Sequence, residues 1–164
     1  MSPSSTEAIL VRPARQEDIS LMARWAEAMA LETEDKKLDA AVVRRGIKRA
    51  FADPHKGLYY IAELGGQPIG TLMLTWEWSD WRDGWWWWIQ SVFVDERHRR
   101  RGVYRALYAH VLALAKADPE VRGLRLYVEH ENANARRTYE FLGMQNPGYV
   151  MYEKSLMGPD RTEG

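Results

Sequence analysis

The sequence predicts an α/β fold built on a mixed β-sheet, and two observations carry that prediction. Between residues 19 and 51 apolar side chains recur at helical spacing, and from Leu58 to Val94 the period drops to two. Past Val94 a basic turn leads into a helical stripe and then into a further strand pattern, a unit that must cross over in parallel. An antiparallel meander followed by one parallel crossover gives the order β-α-α-β-β-β-α-β-α-β in a single domain over residues 1–157. No internal repeat and no linker interrupts it.

Each element has its own signal. Ile9 to Val11 is a short β-prone run closed by Arg12-Pro13, which suits an edge or terminal strand. Gln16, Glu17 and Asp18 put acidic and polar groups at the start of a helix, where its dipole favours them, and Ile19, Met22, Trp25, Ala26 and Met29 form the apolar stripe. A second amphipathic helix fits Asp39 to Phe51, with Val42, Val43, Ile47 and Phe51 on one side, and Asp53-Pro54 stops it. Leu58 to Leu64 and Gln67 to Trp78 are partner strands around a Gly65-Gly66 turn. Ser79 to Gly84 is a polar loop, and Trp85 to Val94 a long strand of aromatic and β-branched residues. Gly102 to Ala117 is helical, with Val103, Leu107, Val111 and Leu114 in one stripe ended by Asp118-Pro119. Leu124 to Val128 alternates as a strand, Asn132 to Leu142 forms a helix that Gly143 caps, and Tyr149 to Leu156 makes a final strand. Residues 158–164 are expected to be a loose tail.

Composition narrows the function. A chain of 164 residues is long enough for one domain with a real core, and its 46% apolar and 28% charged content is that of a soluble globular protein. A net charge of zero gives no overall field for nucleic acid or an anionic membrane. The absence of cysteine excludes disulfides, a catalytic thiol and thiolate metal sites. The opening MSPSSTE lacks a basic segment before an apolar core, and no apolar run has spanning length, so a cytoplasmic location is expected.

The chemistry gathers at the turn after Val94. Arg97, His98, Arg99, Arg100 and Arg101 precede Gly102, which opens a helix. The first amides of a helix lack internal partners and carry partial positive charge, so a diphosphate fits there with arginines adding charge-assisted hydrogen bonds. Glycine allows the backbone to come close. Taken alone, the same run is equally a solvated charged turn or a nucleic-acid contact.

Val94-x-x-x-x-Arg99-x-x-Gly102 resembles the acetyl-CoA loop of the GNAT N-acetyltransferase superfamily, with Tyr104 at a position where that family carries a small residue. Some thirty residues on, Asn132, Ala135, Tyr139 and Leu142-Gly143 resemble the family's second signature, with Met144 in place of an aromatic. The resemblance implies the GNAT acyl-CoA N-acyltransferase fold, a mostly antiparallel mixed sheet with helices on both faces, a β-bulge in the strand before the loop and a splayed gap beside it. It further implies that Val92, Phe93 and Val94 pair with the pantetheine arm. Arg99, Arg100, Arg101, Gly102, Val103 and Tyr104 would hold the pyrophosphate, Asn132 and Ala135 would lie by the pantetheine, and Tyr139 would face the thioester sulfur. The activity expected is acetyl transfer from acetyl-CoA, with no metal, to a primary amine on a small molecule or peptide. The alternative is a non-catalytic module that senses acyl-CoA or binds nucleic acid.

By spacing alone Tyr139 is a core aromatic of its helix. As the resemblance places it, its phenol suits the leaving-group acid, because a pKa of about 10 lies near the roughly 8.5 of a thiol. The base is open. An alkylamine is protonated on the order of a thousandfold at neutral pH, so deprotonation costs about 4 kcal/mol. Some family members have a glutamate where this chain has Gln90, which positions water but takes no proton. Glu32, Glu34, Glu77, Glu129 and Glu131 are the other carboxylates in suitable segments. Glu32, Glu77, Trp78 and Gln90 are the candidate acceptor contacts.

All tryptophans but Trp25 lie between Trp76 and Trp88. Strand alternation sends Trp85 and Trp87 to one face and Trp86 and Trp88 to the other. A homodimer surface, an aromatic wall for an apolar or cationic substrate, and plain core are the three readings. His55, His98, His110 and His130 show no metal-ligand spacing.

Overall fold

The computed structural model describes residues 7–157. The expected tail over 158–164 lies outside them, as do residues 1–6. The chain forms two compact units, one up to Arg125 and one from Leu126 onward.

The first unit holds a five-stranded sheet in the order β1-β2-β3-β4-β5. The strands are β1 (Leu10–Pro13), β2 (Leu58–Leu64), β3 (Gln67–Ser79), β4 (Gly84–Val94) and β5 (Val121–Arg125). β1 to β4 pair antiparallel, and β5 joins β4 in parallel, as the crossover rule requires. The helices of this unit are α1 (Ile19–Glu34), α2 (Ala40–Ala52) and α3 (Val103–Ala117). Pro13 sits on the edge strand, where its missing donor costs no ladder bond. Gly65 (φ 58°) and Gly66 (φ 77°) both adopt the left-handed region that a tight hairpin demands. Asp39 caps α2 by accepting from the amides of Ala41 and Val42.

Each face of the sheet carries helices. Ile61, Thr71 and Phe93 align across β2, β3 and β4, and the α1 residues Met22 and Trp25 and the α2 residue Ile47 pack on Ile61 and Phe93. Trp25 stacks on Phe93 at 5.6 Å. On the other face Tyr60 meets His110 of α3 at 5.1 Å. Gly70 lets α3 approach there, since a Cβ at that position would stand 2.9 Å from Val103 Cγ1. Burying apolar surface on both sides is what holds the layers together.

Two features of β4 shape the site. Gln90 opposes Met73 and Phe93 opposes Thr71, so Ser91 and Val92 together stand against one residue of β3. This is a β-bulge, and Ser91 adopts a left-handed φ of 48° to form it. The parallel ladder with β5 ends at Trp88 and Arg125, so residues 89–94 of β4 are laddered with β3 only. The first feature matches the bulge that the family resemblance implies.

β5 differs from its expected bounds of Leu124 to Val128. Its extent is set by pairing, Val121 with Trp85 through Arg125 with Trp88, and not by the apolar alternation of Leu124, Leu126 and Val128. The second unit contains α4 (Ala133–Phe141), capped by Asn132 and followed by Gly143 at φ 88°. The final strand expected over Tyr149 to Leu156 is absent from the structure, where these residues have no regular secondary structure. A β-prone run makes a strand only where another backbone takes its hydrogen bonds, and within the second unit the described residues include no strand to do so.

Candidate active site

The basic turn is a short 3₁₀ segment followed by a left-handed cap. Asp95 accepts from the Arg97 amide at 3.0 Å and its backbone carbonyl takes the His98 amide at 2.8 Å, which folds Glu96–His98 into one turn. The hydrogen bond from the Arg97 side chain is the main reason that the Asp95 carboxyl lies below its ordinary range. Beyond it φ alternates in sign, with Arg99 at −63°, Arg100 at 62° and Gly102 at 80°. Such alternation gathers successive amides into an anion-binding concavity.

Gly102 caps α3 with no side chain to receive the first-turn amides. Nothing lies within 4 Å of where its Cβ would stand, so a Cβ there would occupy open space directly over the helix start. The arrangement fits a phosphate that takes the place of a capping side chain.

Arg99 is held on three sides. Its Nε donates to the Val94 carbonyl at 3.1 Å, Nη2 reaches Glu32 Oε2 of α1 at 2.8 Å, and the guanidinium lies 5.6 Å from the Phe93 ring centroid. Phe93, Val94, Arg99 and Glu32 are thus brought together, with the bulge immediately before them. Arg100, Arg101, Val103 and Tyr104 follow in the turn and first helical residues, Val103 buried and Tyr104 6.2 Å from Tyr108.

In the second unit, Asn132 Oδ1 accepts from the Ala135 amide at 3.1 Å. These two residues therefore form the N-cap of α4, with the Asn132 amide group left to donate. Tyr139 stands two turns into that helix, and desolvation by burial raises its phenol above the ordinary value. It is a neutral proton donor at physiological pH.

Four of the five candidate carboxylates are engaged, Glu131 being the exception. Glu32 pairs with Arg99, Glu34 with Lys36 at 3.2 Å, and Glu77 with Arg125 at 2.9 Å. Glu129 accepts the Glu131 amide at 2.7 Å. Gln90 donates to Thr75 Oγ1, which fixes its amide. Glu77 and Gln90 share the sheet face covered by α1 and α2, whereas Trp78 points to the other face and meets Trp85 edge-on at 4.9 Å.

The tryptophans divide as alternation requires. Trp88 Nε1 donates to Glu77 at 2.9 Å, and Trp86 carries the Arg125 guanidinium 4.0 Å over its ring. Gly123 makes room for Trp86, since a Cβ there would stand 2.5 Å from Cζ3. On the opposite face Trp76 Nε1 donates to the His55 carbonyl at 3.2 Å. Trp81, in the loop, is 87% exposed.

A cavity of about 120 Å³ also lies on the α1 and α2 face. Ala26 and Met29 of α1, Val43 of α2, and Tyr59, Thr71 and Ser91 of the sheet are among its walls. The sequence places Ala26, Met29 and Val43 in the apolar stripes of their helices. The signals for a cavity were Ser91, a small polar residue in an aromatic strand, and Ala26, a small residue in an otherwise bulky stripe.

Residues 20–144, most of the chain, match the family model described as the acetyltransferase (GNAT) family. The chain belongs to the GNAT acetyltransferase family. Among solved structures, this GNAT chain is 40% identical to a possible acetyltransferase from Clostridium difficile 630, over 93% of its own length and 100% of the other, with a TM-score of 0.86. A predicted acetyltransferase with acetyl-CoA from Clostridium acetobutylicum is 17% identical, with a TM-score of 0.72 over 90% of this chain and 96% of that one. Glucosamine-6-phosphate N-acetyltransferase from Arabidopsis thaliana is 18% identical, with a TM-score of 0.67 over 90% and 99% of the two chains. At that identity the last two speak to the fold alone. No curated protein matches the chain. Among the described residues of this GNAT chain no helix is long and apolar enough to cross a membrane, and no group of His, Cys, Asp or Glu is arranged to hold a metal.

Proposed function

We propose that this protein is an acetyl-CoA-dependent N-acetyltransferase acting on a primary amine, with residues 1–157 as one GNAT domain and the cytoplasm as its location. The observation that carries the assignment is the left-handed, side-chain-free cap at Gly102, set between the arginine turn and α3 and directly after the bulged end of β4. A Clostridium acetobutylicum protein of the same fold, solved with acetyl-CoA, supports the choice of donor.

In the reaction one N–C bond forms at the amine, the thioester C–S bond breaks, and an amine proton ends on the thiol sulfur. Residues 92–94 present backbone groups laddered on one side only, which suits the amides of a pantetheine arm. Arg99 to Tyr104 hold the diphosphate by first-turn amides and guanidinium groups. The free amide group of Asn132 donates to the arm beside Ala135. Tyr139, a neutral phenol whose pKa burial raises further, donates to sulfur as negative charge develops there.

The four engaged carboxylates of the five candidates favour removal of the amine proton through water over a dedicated base. They are also the one observation that favours a non-catalytic acyl-CoA sensor. Two measurements separate these. Acetyl-CoA raises the melting temperature in either case, and only an enzyme releases free thiol from acetyl-CoA across a panel of primary amines. No thermal shift removes acetyl-CoA from the assignment, and a shift without thiol release under any amine leaves a sensor.

A further inference from the structure

The cavity between α1, α2 and the sheet has a chemistry of its own. Its walls are aliphatic, thioether and aromatic, with three hydroxyls, and neither a carboxylate nor an ammonium lines it. The Thr71 hydroxyl is already donated to the Tyr60 carbonyl at 3.0 Å. Burial raises the Tyr59 phenol, so it adds no charge. A charged group placed here would find no counterion, and burying it unpaired is costly. A polyamine tail or a phosphorylated sugar is thereby disfavoured.

Its size is also informative. Protein interiors leave few voids larger than a water molecule, and a dry apolar cavity of about 150 Å³ takes up benzene. A cavity of about 120 Å³ scales to roughly five carbons on that measure. Met22 and Met29 in the walls are unbranched and adjust to an irregular guest.

Its position links it to the reaction. Ser91 is at once a wall of the cavity and the bulge residue of β4, immediately before the stretch 92–94 assigned to the pantetheine arm. We infer that the cavity receives the apolar part of the acceptor, a primary amine carrying an aliphatic group of roughly five carbons close to its nitrogen. This rests on the N-acetyltransferase assignment above. The amine nitrogen then lies at the bulge while its hydrocarbon fills the space between α1 and α2.

Isoamylamine and ethanolamine test the inference, because each carries one primary amine and they differ in apolar volume. With the full chain and acetyl-CoA, isoamylamine is expected to exceed ethanolamine in kcat/KM by about tenfold or more, since each buried methylene is worth a factor of that order. Ala26→Leu fills the cavity and brings the ratio near one while the acetyl-CoA Kd, read by calorimetry, stays within about twofold of wild type. Val43→Ala enlarges the cavity without a clash and shifts the preference to 2-cyclohexylethylamine. Equal rates with the two small amines, or a preference that survives Ala26→Leu, overturns the inference. If acetyl-CoA binds and no amine is acetylated, the N-acetyltransferase assignment fails, and thermal shift with isoamylamine then decides the cavity. A shift in wild type that Ala26→Leu abolishes keeps the apolar-amine site, and no shift in wild type removes it.

Discussion

Arg99 of the basic turn after β4 and Glu32 of α1, 67 positions apart in sequence, meet at 2.8 Å. Both side chains are nearly half exposed, so the pair contributes only about 0–1 kcal/mol to stability. Its consequence lies in binding, because a diphosphate held at the turn as proposed would compete with Glu32 for the same guanidinium. Glu32→Gln therefore tightens acetyl-CoA binding a few-fold, by about the energy of an exposed pair. Arg99→Ala weakens it by about tenfold, the loss of one charge-assisted hydrogen bond. Calorimetric titration of both variants reads the two directions, and shifts of the same sign would falsify the competition.

Gly102 adopts a φ of 80° beside open space. Gly102→Ala places a side chain in a left-handed conformation at a cost of about 1–2 kcal/mol and fills the concavity as well. The variant melts lower by several degrees and binds acetyl-CoA at least tenfold more weakly. A variant that loses stability and keeps full affinity shows that the amides over Gly102 do not hold the diphosphate.

Tyr139→Phe removes the proposed proton donor and leaves the helix intact. The turnover number falls by about a hundredfold at saturating acetyl-CoA, and the acetyl-CoA Kd is unchanged. Because burial raises the phenol, wild-type activity shows no loss assignable to this group up to about pH 10. A rate within a factor of two of wild type removes Tyr139 from the chemistry.

Asp18 is buried where β1 leads into α1 and receives Arg12 Nη1 at 2.7 Å and the Arg15 amide at 2.7 Å. Burial alone would raise its carboxyl, but the Arg12 hydrogen bond, the Arg15 amide and their charges outweigh it and leave the pKa below normal. A depressed folded-state pKa contributes stability above the unfolded value, about 3.9, and loses it as pH falls through the folded one. Asp18→Asn consequently costs about 2 kcal/mol at pH 7. The gap between variant and wild type narrows below about pH 4, which thermal unfolding at several pH values measures.

Much of this was legible in the sequence because local physics decided it. The stripe from Ile19 to Met29 could bury one side only as a helix, and Gly65-Gly66 could close only a tight hairpin. The loop signature singles out Arg99 and Gly102 as candidate phosphate contacts. What escaped depended on partners distant in the chain. Glu32 was one carboxylate among several until α1 carried it to Arg99. Tyr149 to Leu156 open on the β-prone run Tyr149-Val150-Met151-Tyr152, and β-propensity cannot supply the neighbouring backbone. The cavity is invisible to the apolar pattern because Ala26 and Val43 are apolar whether they touch a neighbour or face a gap.

The bulge at Ser91 works like a shift in reading frame. Gln90 and Phe93 face the same side of the sheet although three positions separate them, so β4 carries one residue beyond what regular pairing with β3 needs. Deleting Ser91 would leave Gln90 and all before it, and Phe93 and all after it, on their present faces. A chain without Ser91 is therefore expected to keep its unfolding temperature within a few degrees and to lose amine acetylation, measured by melting and thiol release on the same sample. A deletion that unfolds the protein would show the bulge to be structural. Sheet and chemistry are thus written in separate frames of one strand, and a single codon divides them.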